Sequence, residues 1–430
     1  MSLNRRKFLG QIGRFTGTFA FSSFLQPALA RQLEAALHER AGMSPESCAH
    51  DEDFWRQIRL AYTVSNSIID LNNGGVSPQA RAVQEAQAHY NRLCNEGPSF
   101  YMWRHLDRRR NVVRQRLAEL AGCPSHSIAI TRNASESLET IIFGLPLQAG
   151  DEVVLSKQGY PNMIHAWQQR ARRDGIVLRW LDFELPQENG DYFVKQYQSA
   201  IGPRTKLLHV THVINWTGQV LPVARIAQLA EGSDIEVLVD GAHSFAQLEY
   251  QIPDLACDYF GTSLHKWLGA PFGTGLLYVR PEKIKKVYPL FAAPEQDEAN
   301  IRKFEHQGTR SSAVEQAIIP AIDFHEAIGT ARKQSRLRLL KNYWIEAARS
   351  LPGFRLHSPR QSEWDCAIAL FSIDGQDSKK ISQKLWIQHF IHTVAIDWEN
   401  IHGIRVSPNV YTLRSDLDRF VKALRSIVAT

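Results

Sequence analysis

Two stretches decide the fold, VDGAHS at residues 239–244 and TSLHKWLGAPFGTGLLYVR at residues 262–280. In each, a polar side chain follows an apolar run: Asp240 ends IEVLVD, and Lys266 comes shortly after DYFGTS. Lys266 stands between a histidine and a tryptophan, and three glycines follow it within nine positions. A single lysine is ordinarily a solvated surface charge. Its position on a tightly turning loop bounded by glycines indicates instead a lysine with a functional role.

The chain around these stretches alternates between β-rich runs and helical stretches. The β-rich runs are SIAIT (127–131), DEVVLS (151–156), VLRWLDF (177–183), KLLHVTHV (206–213), IEVLVDG (235–241) and GLLYVR (275–280). A helix is predicted over 105–122, because Val113, Leu117 and Leu120 share one side and Gly122 can end it. Strands that alternate with helices predict an α/β domain with a mainly parallel sheet.

The C-terminal part of the chain has a different pattern. A helical region over roughly 313–350 leads into short strands at 367–373 and 403–407, which flank a helix near 378–390. This order predicts a smaller α+β domain. The predicted division is an export signal at 1–30, an N-terminal segment packing on the small domain at 31–70, a large domain at 71–304 and a small domain at 305–430.

The first thirty residues have the features of a removable export signal. They contain four basic residues and no acidic one, an apolar stretch over 15–25 and a small-residue ending at Ala28-Leu29-Ala30. Arg5-Arg6 followed by Phe8-Leu9 resembles the twin-arginine type, which predicts a periplasmic protein and the export machinery as a partner of the precursor. An amphipathic helix with incidental arginines is the alternative. The apolar stretch is too short to span a membrane.

Charge and cysteine content exclude other classes. The formal net charge is +6, and subtracting the four basic residues of the first thirty leaves +2. A body this close to neutral lacks the excess positive charge that is typical of nucleic-acid-binding proteins. The five cysteines are odd in number and lack C-x-x-C spacing, so neither a metal site nor a disulfide framework is predicted. A single bridge such as Cys48–Cys94 stays open.

Polar residues follow the ends of several predicted strands. They are Ser135, Tyr160, Asn215, Asp240, His243 and Lys266. Because ligands gather at the carboxyl ends of strands in such sheets, we expect these side chains to converge on one site.

The ordered series of motifs is similar to that of the class V aminotransferases. The motifs are LNNGGVSP (71–78), RNASES (132–137), HVINWTG (212–218), VDGAHS (239–244), TSLHKWLGAPFGTGLLYVR (262–280), QGTRSS (307–312) and IRVSPNVY (404–411). These are fold-type I enzymes that use pyridoxal 5'-phosphate, and isopenicillin N epimerase-like proteins and cysteine desulfurases are relatives. The resemblance implies a seven-stranded, mainly parallel sheet, and it covers nearly all of the chain after the export signal.

The resemblance also implies roles for the strand-end residues. Lys266 would bind the cofactor covalently and then act as the base on Cα, and Asp240 would pair with the pyridine nitrogen. His243 and Asn215 would face the phenolic oxygen of the ring, and Tyr160 would stack on the ring. Each role has an ordinary structural alternative. Asp240 could be a helix cap, His243 and Asn215 could be polar residues satisfied within the core, and Tyr160 could serve in packing alone.

The phosphate and the substrate would be bound by further residues. RNASES places Ala134 and Ser135 at a helix start, and Ser263 and His265 would add side-chain donors, although the same serine and glutamate also suit an ordinary capped helix. The resemblance implies that Thr309 reaches the phosphate of the other subunit in a homodimer.

Arg405 resembles the arginine that binds a substrate α-carboxylate, with Arg310 and Arg104 as competitors and a surface ion pair as the alternative. The segment 391–403, where a desulfurase carries its nucleophilic cysteine, contains no cysteine. Cys366 begins an apolar strand, where a buried thiol is expected.

These observations predict a pyridoxal-phosphate enzyme that acts on an amino group or Cα, most simply an aminotransferase. Epimerase or lyase chemistry on the same fold is the alternative; desulfuration and non-catalytic cofactor binding are disfavoured. The substrate would be a small-molecule or peptide amine. An export signal on this fold also resembles periplasmic members of the family that modify a glutamyl side chain of the siderophore precursor of pyoverdine.

Overall fold

A computed structural model of the chain describes residues 20–361 and 363–429. The predicted twin-arginine pair lies outside the described residues. The α-helices are Pro27–Glu39, Pro45–His50, Glu52–Leu60, Arg81–Glu96, Asp107–Ala121, Ala134–Gly144, Pro161–Asp174, Gly190–Ala200, Val223–Ala227, Ser312–Gln316, Ile318–Ile328, Thr330–Ala348, Ser378–His389 and Arg414–Val428, with a π-helix at Phe100–Leu106. Short 3-10 helices lie at Ala20–Phe24, Ser125–Ser127, Gln228–Ala230, Ile252–Leu255, Pro281–Lys286, Glu295–Asp297 and Ile301–Glu305.

The strands form a large sheet and a small sheet, plus one two-stranded pair. In chain order they are β1 (Ile69–Asp70), β2 (Ile128–Thr131), β3 (Glu152–Ser156), β4 (Val177–Leu181), β5 (Thr205–Thr211), β6 (Glu236–Asp240), β7 (Tyr259–Ser263), β8 (Gly275–Val279), β9 (Phe354–Leu356), β10 (Ala369–Ile373), β11 (Ile391–His392), β12 (Val394–Trp398) and β13 (Ile401–Val406).

The large sheet has seven strands in the order β2-β8-β7-β6-β5-β3-β4. Strand β8 pairs antiparallel with both of its neighbours, and the pairs from β7 to β4 are parallel. Every residue of β3, β6, β7 and β8 is buried, as expected for strands covered by helices on both faces. The predicted α/β fold with a mainly parallel sheet is confirmed.

The small domain is built on the antiparallel sheet β12-β13-β10-β9. Its core includes Trp344, whose ring meets Phe371 and Phe420 edge-on at 5.5 and 5.6 Å. Strand β12 was not predicted from the sequence. Only Ile396 of β12 is fully buried, so this strand lacks the apolar run that marks the others.

The segment before residue 70 contacts the small domain. Strand β1 pairs in parallel with β11, the Arg336 guanidinium hydrogen-bonds to Glu52, and Arg59 pairs with Asp416. These contacts join the N-terminal segment to β11 and to the helices Thr330–Ala348 and Arg414–Val428.

Residues 20–30 contribute to the same body of the protein. Phe21 is fully buried and meets the Phe324 ring edge-on at 5.2 Å. The helix Pro27–Glu39 runs through Ala30, where the signal is predicted to end. Removal of residues 1–30 stays a prediction.

Two further properties concern the whole described chain. Its five cysteines are free thiols, so the bridge left open between Cys48 and Cys94 is not formed. Within residues 20–361 and 363–429, no helix has the length and apolarity that crossing a membrane requires.

Candidate active site

A cavity of about 420 Å³ lies at the carboxyl ends of the large-sheet strands. Asp240 ends β6, and Lys266 lies in the turn after the neighbouring strand β7. Gly269 and Gly273 have φ angles of +70° and +80°, which only glycine adopts freely, and they let the chain turn back into β8. The predicted site residues that line this cavity are Ala134, Ser135, Tyr160, Asn215, Asp240, His243, Ser263, His265, Lys266 and Arg405.

The Lys266 amine is the centre of the cavity. Its Nζ lies 3.0 Å from His243 Nε2 and 5.9 Å from the centroid of the Tyr160 ring. Burial lowers the pKa of Lys266 to about 8, with the positive charge of Arg405 acting in the same direction and Asp240 opposing it. The lowered pKa increases the neutral, and hence nucleophilic, fraction of this amine near physiological pH.

Asp240 is buried behind the amine. Its Oδ1 accepts a hydrogen bond of 2.9 Å from the Ala242 N–H. Burial raises the pKa of the Asp240 carboxyl, and the Ala242 bond and the Lys266 charge oppose that rise. A protonated ring nitrogen placed here would supply the missing counter-charge, so this residue fits the pyridine end of the cofactor.

The opposite end of the cavity suits a phosphate group. The helix Ala134–Gly144 begins there, capped by Asn133, whose side chain accepts from the Glu136 N–H. Ser263 Oγ accepts the Ala134 N–H at 2.9 Å, which leaves the hydroxyl hydrogen of Ser263 free to donate to an anion. Ser135 lies in the first helical turn. A helix start with adjacent hydroxyls fits a phosphate.

His265 contributes to this end through a fixed ring. Its Nδ1 lies 3.1 Å from the Thr274 carbonyl oxygen, and a carbonyl only accepts, so Nδ1 carries a hydrogen. Burial and the Lys266 charge lower the pKa of His265. A bound phosphate would favour the protonated ring and so a second donor at Nε2.

Arg405 lines the cavity from β13 of the small domain. Its guanidinium donates to the Asn215 carbonyl at 3.0 Å and to Asn72 Oδ1 at 2.8 Å. Among the described residues no carboxylate pairs with this arginine, its Nε is buried without a partner, and burial lowers its pKa to about 10. The competitors differ: Arg310 pairs with Glu315 at 2.6 Å, and Arg104 is exposed outside the cavity.

One predicted residue does not reach this cavity. Thr309 lines a different pocket, of about 310 Å³, together with Trp103 and Arg110. The resemblance implies that Thr309 reaches the phosphate site of a second subunit. A structure of one chain does not test that role, which stays a prediction.

The cavity also contains residues that the sequence did not assign. They are Gly74, Gly75, Asn133, Leu138, Asn162, Met163, Thr211, Val213, Trp216 and Ala242, and Asn72 contacts the site through Arg405. Gly74 and Gly75 lie in the motif LNNGGVSP, where a Cβ would come within 3.3 Å of Ser407 Oγ and 3.2 Å of Asn72 Nδ2, respectively. In the described part of the chain, no three histidine, cysteine or acidic side chains are grouped to hold a metal ion.

The chain is similar to curated enzymes over most of its length. It is 27% identical over 392 residues to isopenicillin N epimerase of Streptomyces clavuligerus, covering 87% of this chain and 98% of that protein. It is 29% identical over 394 residues to isopenicillin N epimerase of Amycolatopsis lactamdurans, with the same coverage. A probable cysteine desulfurase of Synechocystis is 25% identical, covering 84% of this chain and 91% of that protein.

Solved structures agree with the architecture. A mutant of C-DES with glycine covalently linked to its pyridoxal phosphate superimposes with a TM-score of 0.77 at 23% identity, covering 85% of this chain and 98% of that chain. The cysteine desulfurase CsdA of Escherichia coli gives a TM-score of 0.77 at 22% identity, covering 87% and 98%. At these identities the likeness establishes the shared fold.

The sequence model of the aminotransferase class-V family matches residues 72–420, which is most of the chain. Enzymes of this family use pyridoxal 5'-phosphate, and the geometry of the cavity fits that group at its pyridine and phosphate ends. The predicted fold class, the prediction of an enzyme and the predicted cofactor are confirmed with it. The chain belongs to the class V aminotransferase family.

Proposed function

We propose that the protein is a pyridoxal-phosphate-dependent aminotransferase whose substrate is an amino acid or a peptide-linked glutamyl group. The observation that carries this proposal is the placement of the Lys266 amine, 3.0 Å from His243 and in one cavity with Asp240. The bound cofactor supplies an aldehyde that condenses with amines and a ring that withdraws electrons from Cα. The protein's own contribution is a base at Lys266 Nζ and the buried carboxylate of Asp240, which would pair with the ring nitrogen.

Each of these residues has a defined task in proton transfer. The Lys266 amine, when it is not bound to the cofactor, would be the base that takes a proton from Cα of a bound substrate and returns it. His243 holds that amine by a hydrogen bond, and Tyr160 covers it at 5.9 Å. Asp240 would hold the pyridine nitrogen of the cofactor in its protonated form, because a buried carboxylate without a counter-charge is unfavourable.

Arg405 supports a carboxylate-bearing substrate. It is a buried guanidinium without an acidic partner among the described residues, so a free carboxylate would complete its charge balance. An amine that lacks a carboxylate would leave the cation uncompensated.

Epimerisation at Cα is the second candidate, because two relatives that align over 87% of the chain are isopenicillin N epimerases. Desulfuration has less support. Residues 391–403 contain no cysteine, and burial raises the pKa of the Cys366 thiol to about 12, which makes it a poor nucleophile.

Two further proposals concern the setting of the enzyme. Arg5 and Arg6 support export to the periplasm, and that location supports a glutamyl group of a siderophore precursor as substrate. Thr309 supports a homodimer in which each chain completes the phosphate site of the other. Trp103, which lines the same pocket as Thr309 and is 63% exposed, suits an interface of this kind.

Borohydride reduction followed by peptide mapping tests the assignment of the amine. We expect the cofactor to be fixed to Lys266 in the wild type and to no lysine in Lys266→Ala. Lys333 is the internal comparison, because it too is a buried lysine, with a pKa lowered to about 7. Labelling of Lys333, or ordinary turnover by Lys266→Ala, would refute the proposal.

Product analysis separates the two candidate reactions. The enzyme is incubated with amino acids and glutamate-containing peptides, and the products are identified by mass spectrometry and chiral chromatography. A 2-oxo product with transfer of the amino group supports an aminotransferase. Inversion of Cα with retention of the amino group supports an epimerase.

The dimer is tested by dilution. If Thr309 completes the partner's site, dissociation and cofactor loss are linked by mass action, so both should follow protein concentration together. A monomer that retains full cofactor occupancy contradicts this proposal.

A further inference from the structure

Trp267, the residue after the reactive lysine, is joined to that lysine through a histidine. Its indole Nε1 lies 3.4 Å from His243 Nδ1, and His243 Nε2 lies 3.0 Å from Lys266 Nζ. Trp267 and His243 are both buried, with 1% and 5% exposure. The three side chains therefore form a continuous row from the core to the cavity.

The direction of this row follows from what each group can donate. An indole N–H is a donor only, so it requires His243 Nδ1 to be an acceptor. The proton of the neutral imidazole is then on Nε2, which points at Lys266. A donor at Nε2 requires an acceptor at Nζ, and a lysine nitrogen accepts only when it is uncharged.

The alternative arrangement is disfavoured by the same rule. If Lys266 were an ammonium that donated to Nε2, the histidine proton would move to Nδ1 and face the indole N–H. Two donors would then meet in a buried place where neither can find water, and a buried donor without an acceptor is costly.

We propose that Trp267 is a positioning residue that fixes the tautomer of His243 and, through it, favours the neutral form of the Lys266 amine. This inference rests on the proposed role of Lys266 and adds a residue that the sequence motif does not assign. It also gives a reason for a tryptophan, and not another large apolar residue, after the lysine: the indole N–H donates a hydrogen bond to His243.

The charges around the amine do not produce the same bias. Asp240 favours the ammonium form, Arg405 opposes it, and burial of Lys266 and His243 disfavours the charged form of each. The hydrogen-bond row acts in the same direction as burial and adds to it. His265 is the other ionisable ring in the cavity, and its Nδ1 is committed to the Thr274 carbonyl.

The backbone of Trp267 accepts a hydrogen bond from a second buried lysine. Lys333 Nζ donates to the backbone carbonyl of Trp267 and lies 3.4 Å from His325 Nδ1. This bond and the burial of the ring, at 1% exposure, restrict the movement of Trp267 and so favour the contact of its N–H with His243.

The pH dependence of cyanate modification tests the proposal, because cyanate carbamoylates only uncharged amines. The full-length protein is freed of cofactor, treated with cyanate at a series of pH values, and the carbamoylation of Lys266 is measured by peptide mass spectrometry. In Trp267→Phe we expect the apparent pKa of Lys266 to rise by about 0.5–1 unit, the worth of one neutral hydrogen bond, which slows modification at pH 7 by about 3- to 10-fold.

Trp344→Phe is the matched control. Trp344 is also fully buried, but its indole nitrogen has no hydrogen-bond partner among the described residues, so Trp344→Phe removes packing without removing a hydrogen bond. We expect no shift in this variant, nor any further shift when Trp267→Phe is added to His243→Asn. An equal shift in both tryptophan variants, or an unchanged pKa in Trp267→Phe, overturns the proposal.

A direct measurement on the wild-type protein covers the case in which Trp267→Phe does not fold. Long-range ¹H–¹⁵N correlation spectra of histidine-labelled protein distinguish the two tautomers, and His243→Asn identifies the signal. We expect the proton of His243 on Nε2; a proton on Nδ1 overturns the proposal. Since neither measurement uses bound cofactor, a failure here is distinguishable from failure of the aminotransferase assignment, which borohydride mapping tests.

Discussion

Replacing Arg405 by glutamine should separate substrate recognition from stability. The guanidinium makes two hydrogen bonds, to the Asn215 carbonyl and Asn72 Oδ1, and has no acidic partner among the described residues. We expect a large loss of activity toward carboxylate-bearing substrates and a small change in folding free energy. The reason is that the cation is unfavourable in the free protein and favourable only when a substrate carboxylate neutralises it.

The magnitudes follow from the burial of the group. Lowering the pKa of Arg405 from 12.5 to about 10 corresponds to an unfavourable free energy of about 3 kcal/mol for the free protein. Glutamine removes this unfavourable term but loses two charge-assisted hydrogen bonds of about 1.5–3 kcal/mol each, so we expect the free energy of unfolding to change by no more than about 3 kcal/mol. Loss of a buried charge partner for the substrate costs about 2–5 kcal/mol, or about 30- to 5,000-fold in kcat/KM.

The assay compares amino acids with the corresponding amines that lack the α-carboxylate. The loss should be confined to the amino acids. Arg114→Gln is the matched control, since Arg114 pairs with Glu305 at 2.6 Å and both are buried. Breaking that pair should cost about 3–5 kcal/mol of stability without changing the preference between the two substrate sets. An equal loss of kcat/KM for amines and amino acids in Arg405→Gln would refute the reasoning.

Three other outcomes are expected. Asp240→Ala should still bind cofactor covalently at Lys266 but exchange the Cα proton for deuterium at least about 10²-fold more slowly, as expected when an acid–base partner is lost; wild-type exchange would contradict this. Burial lowers the pKa of Lys333 to about 7 in the folded protein, whereas the unfolded lysine stays protonated up to about pH 10.4. Between these two pH values the folding free energy should therefore become more favourable by up to about 1.4 kcal/mol per pH unit. Urea titrations of Lys333→Met at a series of pH values should lack this slope. Changing Arg5 and Arg6 together to lysine should keep the precursor in the cytoplasm, whereas the wild type should yield a periplasmic protein beginning near Arg31; unchanged delivery on cell fractionation would refute the export prediction.

The sequence was sufficient where one strand positions a residue. Asp240, His243 and Lys266 follow apolar runs that become β6 and β7, and their convergence follows from the parallel sheet. The partners of Arg405 were not predictable in this way. Asn72 is 333 positions away in the chain, and no local pattern indicates that the segment after β1 meets β13.

Other features depend on information that a local pattern does not contain. Strand β12 was missed because it is mostly half-exposed, so it shows neither strict alternation nor a continuous apolar run. The link from Trp267 to His243 was missed because a tryptophan beside a turn is usually explained by packing alone. Thr309 was assigned to a site on another chain, which one chain's sequence and structure do not contain.

The position of Arg405 has a consequence for how the enzyme responds to change. The arginine belongs to the small domain, Asn215 to the large domain, and Asn72 to the segment that joins β13 through a bridge with Ser407. A carboxylate bound to Arg405 would therefore strengthen a contact point that joins the small domain, the large domain and the segment after β1. Substitutions that loosen the small domain, even at distant Trp344, should appear first as weaker substrate binding, while the chemistry at Lys266 keeps its rate.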